Sequence, residues 1–133
     1  MGFGSLFKKD KTETRNELLS KGLELLYSGK YEKAMKCFDK AIPLLPEFAS
    51  TVWHFKGITF TRLENAEEAL KCFDKTVELD PEFVDAWTNK GYTLHHLGKQ
   101  EESIVCIRKI LELDPNNEAA LYNIKAFGYE EHF

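Results

Sequence analysis

Three cysteines, four histidines and a scatter of aromatic residues are the groups in this 133-residue chain that could do chemistry. Cys37, Cys72 and Cys106 would serve for a disulfide or a metal site, but each stands at the same place in a recurring phrase, just before Phe38, Phe73 and Ile107. If that phrase forms equivalent helices side by side, the thiols lie at least one interhelical distance apart, roughly 8–10 Å or more. A disulfide cannot reach that far, and no CxxC spacing suggests zinc. They read as small, reduced, partly buried thiols. His95 and His96 are neighbours, and adjacent helical residues point about 100° apart, so the pair cannot clamp one ion. His54 and His132 add no ligand spacing. Phosphate-cradling glycine loops, nucleophile motifs and H-E-x-x-H are all missing. The chain is expected to be non-catalytic, with no cofactor and no metal.

What positions these residues is a repeat. "FDKAIPLLPEF" at 38–48 returns as "FDKTVELDPEF" at 73–83, and Gly22, Gly57 and Gly91 recur 35 and 34 residues apart. Ala34, Ala69 and Ser103 match, as do Pro46, Pro81 and Pro115; the extra residue is Ala49. Such a period marks stacked units that share a continuous core. Within each unit, large apolar residues fall four before and three after the glycine (Leu18 and Leu25, Trp53 and Phe60, Trp87 and Leu94), which is one helical face. Turn signals follow at Ser28-Gly29-Lys30, Glu64-Asn65 and Leu97-Gly98-Lys99. A second helix then runs to a proline stop. Small residues at the glycine and alanine places let helices approach closely. The expected fold is all-α, a right-handed superhelix of stacked antiparallel helix pairs. Its parts are an N-terminal tail at 1–14, flexible or docked; three repeats at 15–48, 50–83 and 84–117; and a capping helix with a C-terminal tail at 118–133. Pro43 falls in the last turn of the first unit's second helix, where its ring predicts an early stop or kink near Ile42.

On these residues the chain resembles the tetratricopeptide repeat family over 15–117, through its tryptophan or leucine, glycine, small, aromatic and proline places. Lysines at 21, 56 and 90 replace the apolar residue usual before the glycine. They read as structural, their stems on apolar surface and their heads paired with acids such as Asp39 or Asp74.

The resemblance implies that the first helix of each pair lines a concave groove. The residues on that face are Leu19, Ser20, Leu23 and Tyr27, then His54, Phe55, Ile58 and Arg62, then Thr88, Asn89, Tyr92 and His96. The capping helix adds Tyr122, Asn123 and Ala126. This is more apolar and aromatic than a solvated face, so the expected function is a non-catalytic adaptor or scaffold that binds an extended or helical segment of another protein through apolar anchors. Some family members hold the C-terminal carboxylate of chaperone tails with lysine, asparagine and arginine. The matching places here hold Leu19, Leu23, Phe55, Asp85 and Asn89, which argues against such tails. A competing reading is a self-associating module using its tail (Phe3, Leu6, Phe7), its groove or its ends. A third is that curvature buries Leu23 and Phe55 completely and makes the face ordinary core.

Bulk properties narrow the partners. The first eleven residues carry +2 and the remainder −6, for a net −4. An acidic body argues against nucleic acid, and no apolar run reaches the roughly 20 residues of a membrane span. "MGFGSL" opens like a myristoylation site, but Leu6 takes the Ser/Thr place. A cytoplasmic protein is the expectation.

Overall fold

The computed structural model describes the backbone of residues 3–133 and the side chains from Arg15 onward. Seven helices account for most of it: α1 (Phe3–Tyr27), α2 (Tyr31–Leu44), α3 (Ala49–Arg62), α4 (Ala66–Leu79), α5 (Val84–His96), α6 (Gln100–Leu113) and α7 (Glu118–Ala126). The fold is all-α. Helices pair as α1–α2, α3–α4 and α5–α6; α3 packs on α2, α5 on α4 and α7 on α6, which is an α-solenoid. Whether the segment 1–14 covers the groove lies outside the described residues. Among those described, no helix is long and apolar enough to cross a membrane.

The repeated residue types are explained by close approach. Ala34, Ala69 and Ser103 are fully buried between helices. Ser103, the one polar member, donates its hydroxyl to the Gly91 carbonyl at 2.8 Å, which removes the cost of burying it. Phe38 and Phe73 lie under Gly22 and Gly57 so tightly that a Cβ on either glycine would fall 2.6 and 2.5 Å from a ring carbon. Turns between paired helices use left-handed backbone, with Gly29 and Gly98 at φ +79° and +75°; the second repeat puts Glu64 there instead, at φ +59°. Asn65 and Asn117 cap α4 and α7 by accepting from the backbone N–H of Glu68 and Ala120.

Between repeats, Lys56 reaches back to Asp39 at 2.8 Å and Lys90 to Asp74 at 3.0 Å, while their ammonium groups sit 4.8 Å and 5.2 Å from the ring centres of Trp53 and Trp87. The structural reading of these lysines is what is found. The acids are exposed, so each pair adds at most about 1 kcal/mol and acts mainly on register. In the third repeat the acid's place is taken by Arg108. It donates to the His132 carbonyl at 3.1 Å and lies 5.5 Å from the Phe133 ring centre.

The expectation of an early stop at Pro43 is not met. α2 runs through Pro43 to Leu44 and matches α4 and α6 in length at 14 residues. Near the end of a helix the lost N–H removes a single hydrogen bond, and the Leu45 N–H still closes onto the Ala41 carbonyl at 2.9 Å. What differs is the linker. Leu45 is only 1% exposed, in the core with Phe38 and Val52, and a 3-10 turn at Pro46–Phe48 follows. The other repeats have Asp80 and Asp114 at that place.

Candidate functional site

Helix phase alone turns α1, α3 and α5 so that the residues just after and three before each glycine share one side of the stack. The main concavity there is a cavity of about 400 Å³ lined by Tyr27, His54, Phe55, Ile58, Phe83, Asp85, Thr88 and Asn89. It gathers six of the residues read as groove: Tyr27 from α1, His54, Phe55 and Ile58 from α3, and Thr88 and Asn89 from α5. Tyr92 and His96 lie apart, in a smaller pocket of about 160 Å³ with Thr61, Glu64, Ala66 and Thr93. Arg62 lines a third pocket of about 100 Å³, with Leu26 and Tyr31, that shares Tyr27 and Ile58 with the first. Leu19 and Leu23 are half-buried against the N-terminal core and line none of these. Tyr122 is 72% exposed on α7 and Asn123 half-buried, both outside the three pockets. Leu23 and Phe55 are half-buried rather than enclosed, so neighbouring helices alone do not turn the face into core.

His54 forms the floor. It is 6% exposed, and its ring centre lies 4.8 Å from that of Phe83 and 5.8 Å from those of Phe55 and Phe73. Its Nε2 lies 2.9 Å from Asn89 Nδ2. An amide nitrogen only donates, so Nε2 accepts, and the imidazole is neutral with its proton on Nδ1. Burial lowers the His54 pKa below the ordinary 6.5, with Asp85 pulling the other way. A protonated ring would have no lone pair for the Asn89 N–H, and the Asn89 amide would have to turn its oxygen toward Nε2 to keep the link between α3 and α5. The sign follows by linkage: below about pH 6.5 the unfolded chain binds a proton that the folded chain resists, so this site's contribution to stability is lost as pH falls. Wild type is therefore expected to lose more stability than His54→Gln between about pH 7.5 and pH 5.5, as read from denaturant midpoints. Equal losses would show that His54 does not titrate in the way its bond to Asn89 requires.

Phe83 lines the cavity although helix phase does not point to it. It precedes α5 in the linker, outside the helical periodicity, and the only sequence signal is the recurrence of "PEF" at 46–48 and 81–83. The thiols are free: Cys37 is half-buried, Cys72 and Cys106 are buried. Burial pushes the latter two up to about 11 despite Lys56 and Lys90 nearby, so they stay protonated and poorly nucleophilic at neutral pH. Among the described residues, no three His, Cys, Asp or Glu side chains are grouped to hold a metal ion. The cavity can thus bury apolar groups and form a few hydrogen bonds at its edge.

Sequence profiles of the tetratricopeptide repeat match residues 18–44, 50–83 and 84–117. Among solved structures, the first tetratricopeptide domain of Spaghetti (RPAP3), bound to the HSP90 peptide SRMEEVD, is 23% identical; the match covers 91% of this chain and 95% of that one, with a TM-score of 0.80. The second such domain of human RPAP3, in complex with the HSP70 peptide SGPTIEEVD, is 21% identical over 89% and 98% of the two chains, TM-score 0.79. The Arabidopsis OM64 domain is 22% identical over 92% and 99%, TM-score 0.80. No curated protein sequence matches the chain.

Proposed function

The chain belongs to the tetratricopeptide repeat family, and on that premise we propose that it is a non-catalytic adaptor whose concave face binds a segment of another protein through apolar anchors. The observation that carries this reading is the cavity of about 400 Å³, where Tyr27, Phe55, Ile58 and Phe83 present apolar surface between three helices. Apolar concavities with a few fixed polar groups are where ligands bind.

Two of the similar structures hold chaperone peptides that end in aspartate. A terminal carboxylate there needs cationic and amide partners. The corresponding places in this chain hold Leu19, Leu23, Phe55, Asp85 and Asn89, of which only Asn89 can donate from its side chain, with one of its two Nδ2 hydrogens directed at His54. Asp85 would repel the carboxylate. The ligand therefore differs from those tails and is held by buried side chains instead. The competing reading of self-association through the N-terminal tail turns on side chains outside the described residues.

Burying one large apolar side chain is worth about 1.5–3 kcal/mol, roughly ten- to a hundredfold in affinity. Immobilised wild type is accordingly expected to retain proteins from an extract that Phe55→Ala loses, with Tyr92→Ala weaker in effect because Tyr92 lies in the neighbouring pocket. Circular dichroism checks that both variants remain folded. An identical retained set across all three proteins would make the groove assignment wrong.

A further inference from the structure

The central cavity is not uniformly apolar. One rim is formed by Asp85, an exposed carboxylate in the first turn of α5, which lines the same space as Phe55, Ile58 and Phe83. Beside it stands Asn89, whose Nδ2 directs one of its two hydrogens at His54 and whose carbonyl oxygen is a hydrogen-bond acceptor. His54 is neutral in this arrangement and adds no positive charge. A carboxylate near a helix N-terminus is stabilised locally by the helix dipole, and that alone would account for an acid there. The repeat does not require one, however: Thr51 and Ala119 stand at the equivalent places of α3 and α7. Arg62, the other charged residue read on this face, lines the adjoining pocket on the far side of Tyr27 and Ile58. The space between them is apolar in its body and an acceptor at the Asp85 end.

We propose that this cavity receives a lysine or arginine side chain of the bound segment, its methylene stem over Phe55, Ile58 and Phe83 and its cationic head at Asp85 and the Asn89 carbonyl. Long basic side chains suit such a site because they bury an apolar stem while the charge stays at the rim, and aromatic faces attract the cation as well. The selectivity is opposite in sign to that of a site for a terminal carboxylate. This inference rests on the groove reading above and narrows it to segments in which a basic residue adjoins an apolar one.

A phage-displayed library of random short peptides, selected separately on the full chain, on Asp85→Asn and on Phe55→Ala, tests it. Wild type is expected to enrich Lys or Arg beside an apolar residue, and the individual clones to bind Asp85→Asn about two- to fivefold more weakly, the range for a solvent-accessible ion pair. Selection on Asp85→Asn should lose the basic enrichment. Clones that depend on Phe55 but carry basic residues no more often than the unselected library would overturn this inference and leave the groove reading standing. Equally basic selections on wild type and Asp85→Asn would overturn it in the same way. Clones indifferent to Phe55→Ala, or no retained clones at all, would overturn both.

Discussion

Phe73→Ala is expected to lower the free energy of unfolding by about 3–5 kcal/mol, the usual cost of removing a fully buried aromatic ring. The ring is 1% exposed, lies directly under Gly57 and faces His54 from below, so the void opens beneath the groove floor in the middle repeat. In a solenoid the middle unit carries both interfaces, and its loss uncouples the two ends. The same contact predicts the reverse substitution. Gly57→Ala would place a methyl 2.5 Å from the Phe73 ring, overpacking a core with no slack, at about 1–3 kcal/mol. Gly91→Ala should be nearly neutral. There the residue in the phenylalanine's place is Ile107, the nearest atom is the Cys106 Cβ at 3.2 Å, and the better helix propensity of alanine returns about 1 kcal/mol. Combining Gly57→Ala with Phe73→Leu should cost less than the sum of the two. Equilibrium denaturation of the set decides it, and equal losses for Gly57→Ala and Gly91→Ala would show that close approach to the ring is not what selects glycine.

Tyr129→Ala is expected to cost a comparable amount, about 3–5 kcal/mol by analogy with other buried aromatics. Tyr129 is 2% exposed, its hydroxyl lies 2.7 Å from His95 Nδ1, and Phe127 stacks on the same imidazole with ring centres 3.9 Å apart. The backbone reaches this position through a left-handed Gly128 and a bond from the Tyr129 N–H to the Ile124 carbonyl. Removing the ring therefore frees the C-terminal segment and strips cover from α7, whereas Tyr129→Phe loses only the hydrogen bond, about 1 kcal/mol. Amide exchange along α7 measures the difference. If α7 is as protected in Tyr129→Ala as in wild type, the segment does not fasten the cap.

The frame is legible in the sequence because every joint between helices imposes the same size limit. A repeated limit shows as a repeated residue, at Gly22, Gly57 and Gly91 and at Ala34, Ala69 and Ser103. Helix phase also tells which residues share one side of α1, α3 and α5. It does not tell how far each side chain extends, so Tyr92 and His54 have equal standing by phase although one is exposed and the other forms the floor. Phe83 and Tyr129 escape because both lie outside helices, where periodicity carries no information and only packing decides. Pro43 misleads in the other direction: the penalty that proline carries in a helix interior does not extend to a final turn, where Leu45 still completes the hydrogen bonding.

The Asp39–Lys56 and Asp74–Lys90 pairs, followed by the substitution at Arg108, have the form of a connector. The first and second repeats each carry a socket on the second helix, and the repeat that follows carries the plug on its first, so one unit can follow another without any change to either face. In the third repeat the socket's charge is inverted and the plug's place in α7 is the apolar Ile124. Arg108 is already occupied by the carbonyl of His132. Charge at one surface position thus distinguishes the two joints between repeats from the joint between the third repeat and α7.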